Sequence, residues 1–248
     1  MKSIIMKRLL FSVVLFMATK ASFAQDAAKK KIDLSNRPSD HIVVQLSSDR
    51  WLNAPDSIDN KRKGSSRGAN VYFMLDKPFR INNKFSLAYG VGFGTNNQFI
   101  DKGTYVDLAQ MANTIRFKQL DSLANRFDKQ KVATVYLQVP AELRYYTNPA
   151  NPSKSWKFAA GIKAGLLFKG FTKMKDYQTF NGNSLYGKTY VQKISNKRFF
   201  TSNDITLTAR AGYGIISMNV GYTVTPVFRD GYGPSFNRLS IGLSISGL

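Results

Sequence analysis

From Lys84 to Gly94 the chain alternates strictly: Phe85, Leu87, Tyr89, Val91 and Phe93 are large and apolar, while Ser86, Ala88, Gly90, Gly92 and Gly94 are tiny. Successive side chains of a strand point to opposite faces, so this segment has one apolar wall and one nearly bare wall. A soluble sandwich strand sets its apolar side against a core and its polar side against water. A strand of a small membrane barrel sets its bulk against lipid and leaves its small residues to a narrow lumen.

The same period recurs along the chain and predicts about eight strands. Ile42, Val44 and Leu46 share a face between His41 and Trp51; Val71, Phe73 and Leu75 do so between Arg67 and Lys77. A strand over 131–147 sets Val135, Leu137, Val139, Ala141, Leu143 and Tyr145 against Tyr136, Gln138, Pro140, Glu142 and Arg144. The next alternates Trp156, Phe158, Ala160, Ile162, Ala164, Leu166 and Phe168 with Lys157, Ala159, Gly161, Lys163, Gly165, Leu167 and Lys169. Three closing strands carry Ile205 to Tyr213, Ile216 to Val224 and Leu239 to Ile245. Pro140 marks an expected bulge, since an interior proline cannot donate to a ladder.

The connections alternate long and short, and Asn53-Ala54-Pro55-Asp56 and Asn148-Pro149-Ala150-Asn151-Pro152 are turn chemistry. Even strand number and this rhythm predict an all-β, eight-stranded, antiparallel, up-and-down transmembrane (outer-membrane) β-barrel over 41–248, with long extracellular loops. Phe79, Phe85, Tyr145, Tyr146, Trp156 and Tyr213 are expected near the periplasmic ends, and Phe93, Phe168, Phe199, Phe200 and Phe228 near the outer ends, as aromatic girdles. Within the excursion from Asn96 to Gln130, Leu108, Met111 and Ile115, then Leu120, Leu123 and Phe127, fall at helical spacing. They predict one or two short amphipathic helices, folded as a lid over the barrel in preference to binding a partner. Residues 170–202 read as a basic loop.

The N-terminus changes the compartment. Lys2, Lys7 and Arg8, the apolar run from Leu9 to Ala18, and Ala21-Ser22-Phe23-Ala24 have the three parts of a signal peptide over residues 1–24. The run is shorter than the ~20 residues of a spanning helix. Residues 25–40, with Lys29-Lys30-Lys31, read as a polar periplasmic segment. The absence of cysteine excludes a disulfide scaffold, a Cys-anchored lipoprotein and thiolate metal sites.

The chain carries +21 formal charges; four positives (Lys2, Lys7, Arg8, Lys20) precede the cleavage site, so about +17 remains. No nucleic-acid recognition motif accompanies that excess. The expected partners are outer-membrane lipid and lipopolysaccharide, met by Lys61, Arg62, Lys63, Lys173, Lys175, Lys197 and Arg198. On the inward parity lie Asp76, Glu142, Arg144, Lys163 and Arg210, a charge network in which Glu142 is expected to bridge to Arg210 or Lys163 and close the lumen. No catalytic, cofactor or metal site is expected: His41 stands alone, and Gly90-x-Gly92-x-Gly94 lacks nucleotide-loop spacing.

Arg37-Pro38-Ser39-Asp40-His41, Trp51-Leu52, Arg67-Gly68, Tyr72-Phe73-Met74, Lys77-Pro78-Phe79 and Ala209-Arg210-Ala211-Gly212-Tyr213-Gly214 together resemble the PorT-like outer-membrane β-barrel proteins of Bacteroidota over nearly the whole mature chain. That resemblance implies a non-enzymatic accessory subunit or interaction module in envelope assembly or protein export of the type IX kind. The alternatives are a small passive or gated pore and, disfavoured by the single His, a lipid A-modifying enzyme.

Overall fold

The period-two segments all become strands because each gains a lipid-side apolar face and a lumen-side face of matched volume. The computed structural model describes residues 41–60, 66–108, 113–121 and 123–247. The expected signal peptide, the segment 25–40, Lys61, Arg62, Lys63 and Met111 lie outside them. Eleven strands are described: β1 (Ile42–Leu52), β2 (Arg67–Pro78), β3 (Phe85–Ile100), β4 (Thr104–Asp107), β5 (Arg116–Gln119), β6 (Arg126–Tyr146), β7 (Trp156–Gln178), β8 (Val191–Ser195), β9 (Asn203–Tyr213), β10 (Ile216–Thr223) and β11 (Asn237–Ser246). A single helical turn, α1 (Asp56–Asp59), follows β1.

Eight of these strands close an antiparallel barrel in the order β1-β2-β3-β6-β7-β9-β10-β11, with β11 pairing back onto β1. Consecutive barrel strands are always neighbours, so the topology is a meander. One end carries the tight turns, of which Gly214-Ile215 is the shortest; Gly214 takes φ +61, a conformation that this two-residue hairpin requires and that glycine adopts freely. The other end carries the long connections.

Burial is inverted relative to a soluble barrel. Gln45, Gln138, Glu142, Thr206, Asn219 and Ser244 are buried, while Leu46, Phe73, Val91, Leu143, Leu166, Leu207, Met218 and Leu243 are exposed around the outside. A soluble ligand-binding barrel would line its cavity with the large apolar residues. No helix among the described residues is long and apolar enough to cross a membrane. The strands do so instead, pairing their backbone groups with one another around the closed sheet.

Three expectations change. The Asn96–Gln130 excursion holds no helix among its described residues; β3 and β6 lengthen into it and β4 pairs with β5 as a hairpin. Leu108 and Ile115 mimic helical spacing because they flank the hairpin turn and both point into one cluster at the barrel mouth, with Trp51, Ile100, Phe199, Phe228 and Phe236. Leu123, by contrast, is exposed. The supposed loop after Gly170 begins as β7, which runs on to Gln178 and takes β8 onto its edge. Phe199, Phe200 and Phe228 belong to no girdle: their connections fold inward, leaving them almost wholly buried in the mouth cluster. Tyr146 is buried as well.

Pro140 interrupts the β3–β6 pairing between Tyr89↔Ala141 and Gly92↔Gln138 but shifts no register. The bulge falls elsewhere, where Val135 pairs with Lys169 and Tyr136 with Leu167, leaving Phe168 extra. Phe168 and Lys169 therefore both face outward, and Lys169 leaves the inward parity that simple alternation assigns to it. At 21 and 23 residues, β6 and β7 are about twice the ~9–11 residues a strand needs to cross a bilayer, so their upper halves stand clear of it.

Candidate functional site

The lumen is filled by large polar side chains from β6, each flanked by small residues on the neighbouring strands. Glu142 stands between Ala88 of β3 and Gly161 of β7, Arg144 between Ser86 and Ala159, and Gln138 between Gly92 and Gly165. The bare face of β3 is thus the space into which the inward side chains of β6 lean. An eight-stranded interior is just wide enough for such filling.

Buried ion pairs occupy this space at two levels. Toward the tight-turn end, Glu142 Oε2 accepts from Arg144 Nε at 3.0 Å and from Arg210 Nη2 at 2.9 Å, the second bond reaching over β7. Toward the long-loop end, Arg238 Nη2 donates to Asp204 Oδ2 at 3.3 Å and to Thr223 Oγ1 at 2.9 Å. Asn96, with its amide oriented to suit both neighbours, accepts from Arg238 Nη1 at 3.1 Å and donates to Asp49 Oδ2 at 2.9 Å. Gln138 extends the second group, donating to Asp204 Oδ2 at 3.3 Å and accepting from the Tyr72 hydroxyl at 2.6 Å. The Lys163 ammonium lies 5.4 Å from the Tyr72 ring centroid.

Of the five inward charges picked out by parity, Glu142, Arg144 and Arg210 meet directly. Lys163 is buried on β7 beside Pro140 rather than paired to Glu142, and Asp76 shares the Glu142 row two strands away, with Ala88 between. Parity alone missed Asp204, Arg238 and Asp49. The signal was present, because Asp204 and Arg238 each precede the first apolar outward residue of their strand, but both sit at strand starts where an alternation has not yet declared itself. Beside Glu142, Lys163 and Arg238 lies a cavity of about 20 Å³, room for about one water molecule.

His41 lies just before β1, Nδ1 3.2 Å from the Met74 carbonyl oxygen and its ring stacked on Phe73. No cluster of three or more potential metal ligands occurs among the described residues.

The predicted lipid-contact residues separate. Lys173 and Lys175 point outward on the upper half of β7, whereas Lys197 lies over the Phe168 ring at 5.8 Å and the Arg198 guanidinium over Tyr232 at 4.9 Å. Around Lys173 the sheet adds Lys131 of β6 and Lys193 of β8, which no single-strand reading could place beside it. Burial first, and then the charges of Lys173 and Lys193, hold the Lys131 ammonium below the usual lysine value.

Closed eight-strand topology, a lipid-facing apolar exterior and a polar packed interior agree with the comparison of the sequence with protein families, in which residues 23–228 match the outer membrane protein beta-barrel domain. The chain belongs to that family. No curated protein matches it. Within an outer-membrane barrel domain, the exposed residues Leu87 to Phe93, Leu137 to Leu143 and Trp156 to Phe168 form the lipid belt, and the long connections and the upper sheet of β6, β7 and β8 project from one membrane surface.

Proposed function

We propose that this barrel is a non-conducting, non-enzymatic membrane anchor: a subunit or interaction module of the outer membrane whose work is done by its outer surfaces. The observation that carries this reading is the lumen, where Glu142, Arg144, Arg210, Asp204 and Arg238 are locked in ion pairs around a cavity of only about 20 Å³. A hydrated ion cannot pass a space that holds about one water. Planar-bilayer recordings with the purified full chain test it. Flat current traces are expected, and reproducible ohmic steps would overturn it in favour of a pore.

The finer reading is an accessory role in envelope assembly or in protein export of the type IX kind, in the manner of the PorT-like barrels of Bacteroidota. Its support is the likeness of Trp51-Leu52, Tyr72-Phe73-Met74, Lys77-Pro78-Phe79 and Ala209-Arg210-Ala211-Gly212-Tyr213-Gly214 to those proteins. In this reading the tight-turn end faces the periplasm and the long-loop end the cell exterior. Mild-detergent purification from native membranes is expected to bring a larger envelope complex with it; recovery of the barrel alone would refute the subunit role.

A further inference from the structure

Above the bulge at Phe168, the outward face of β6, β7 and β8 turns from apolar to cationic. Lys131, Lys173 and Lys193 stand abreast in direct register on the three strands. One outward pair further from the lipid belt, Lys129 stands beside Lys175, and Lys169 begins the patch immediately after the lipid-facing Phe168. Directly opposed side chains in antiparallel strands have Cβ atoms about 5 Å apart, and like charges there are destabilising. Among the described residues, none of these six lysines pairs with a carboxylate.

Three of the ammonium groups are held in place. Lys193 Nζ lies 4.1 Å from the Phe171 ring centroid, Lys169 Nζ 5.4 Å from that of Phe168, and Lys131 Nζ donates to Asn97 Oδ1 at 2.6 Å. These contacts fix the heads of three of the six lysines without neutralising them. The lowered Lys131 affinity for its proton, caused in part by Lys173 and Lys193, records the same uncompensated repulsion. A sheet that assembles like charges and holds them in place is complementary to a multiply charged anion.

Position selects the anion. The patch starts at the rim of the lipid belt, where Phe93 and Phe168 meet edge to face at 6.3 Å, and climbs the sheet from there. A ligand filling it has acyl chains against Leu137, Leu166 and Phe168 and phosphates beside the lysines above them. We propose that the outward face of β6, β7 and β8 binds the phosphoryl groups of lipopolysaccharide, with Lys131, Lys173 and Lys193 as its centre and Lys129, Lys169 and Lys175 as its flanks. The proposal does not rest on the closed lumen; it requires only that the long-loop end face the cell exterior.

The test uses the folded full chain in a maltoside detergent, which carries no phosphate, and compares wild type with K131Q/K173Q/K193Q and with K77Q/K84Q/K154Q, which changes three exposed lysines at the tight-turn end. Without lipopolysaccharide, K131Q/K173Q/K193Q is expected to melt above wild type, because the opposed charges are gone; that result also shows it to be folded. Lipopolysaccharide raises the wild-type and control transitions but not that of K131Q/K173Q/K193Q, whose affinity falls at least about tenfold. Enzymatically dephosphorylated lipopolysaccharide and inorganic phosphate at matched phosphate concentration shift none of the three. Equal affinity of wild type and K131Q/K173Q/K193Q would overturn the proposal. So would an equal loss in the control, undiminished binding of the dephosphorylated form, or an equal shift with inorganic phosphate alone.

Discussion

The Tyr72 hydroxyl on β2 donates to Gln138 Oε1 on β6 at 2.6 Å, across the intervening strand β3, and it crosses at Gly92, which is in register with both residues. The bond exists because Gly92 has no side chain. A methyl placed there would overlap the Val71 carbonyl oxygen and come within 2.6 Å of the Tyr72 ring. Gly92→Val is therefore expected to cost about 2–4 kcal/mol, from overpacking plus one lost hydrogen bond. Phe93→Leu, one residue along on the lipid side, should change stability by about 0.5 kcal/mol or less. Urea unfolding in detergent micelles separates the two, and equal effects at both positions would refute the assignment of faces.

Glu142 Oε2 accepts from both Arg144 and Arg210. Glu142→Gln takes from two buried guanidinium groups the carboxylate charge they share, and breaking a buried pair from one side costs about 3–5 kcal/mol. Arg210→Met should cost less, since Arg144 still neutralises Glu142. A double-mutant cycle on the pair is expected to give a coupling energy above about 1 kcal/mol. Additivity of the two substitutions within about 0.3 kcal/mol would mean that the contact contributes nothing.

The two tryptophans report the membrane boundary. Trp51 is 4% exposed inside the mouth cluster, whereas Trp156 is 54% exposed at the tight-turn end, beside Phe158 and Tyr213. Interfacial aromatics sit at the level of the lipid headgroups. In vesicles of lipids brominated near the headgroup, the fluorescence of W51F, which keeps Trp156, should be strongly quenched, and that of W156F, which keeps Trp51, should be nearly unchanged. Reversed sensitivities would place the lipid belt elsewhere.

How much of this architecture the residues disclose depends on range. Outward and inward sets are legible wherever alternation is unbroken, as from Phe85 to Gly94, because a one-residue slip would put every side chain on the wrong face. Glu142 and Arg210 could be named from parity on their own strands. The alternation failed at Phe168, where one extra residue sends Lys169 outward. It also misled at Leu108 and Ile115, which flank the β4–β5 turn and whose shared cluster imitates a helical period. The Lys131-Lys173-Lys193 row is invisible to any local pattern, since its members come from three strands and only register unites them.

The β4–β5 hairpin is held to the barrel through aromatic packing. Phe228 contacts Trp51 at 5.8 Å, Phe117 of β5 at 6.2 Å, Phe200 at 5.5 Å and Phe236 at 5.3 Å between ring centroids. Its backbone neighbourhood adds Ile115 N donating to the Tyr232 carbonyl oxygen at 2.8 Å. Phe228→Ala should cost about 3–5 kcal/mol of local packing. Because that loss falls above the lipid belt, the barrel should stay folded while the hairpin becomes open to protease near Arg116 and Lys118. Unchanged digestion alongside wild type would show that the hairpin is secured without this cluster.

Lys131 makes a prediction of opposite sign to ordinary alkaline denaturation. Its neighbours on every packed element are Lys173 on β7, Lys193 on β8, and Asn97 and Phe99 on β3; none of them is an anion. Burial and the two like charges lower its proton affinity in the folded state, while in the unfolded chain it returns to about 10.4. Between these two values the unfolded state binds more protons, so stability must rise with pH across that window, and below it the full cost of the charged form is present. Many other groups titrate at alkaline pH, so the informative quantity is the difference between wild type and Lys131→Gln. At low salt the wild type should gain on the variant as pH rises through the alkaline range toward about 10.4, and the gain should shrink at high salt, where the Lys173 and Lys193 charges are screened. A wild-type-minus-variant difference that stays flat through this range would show that the lysine row carries no repulsion.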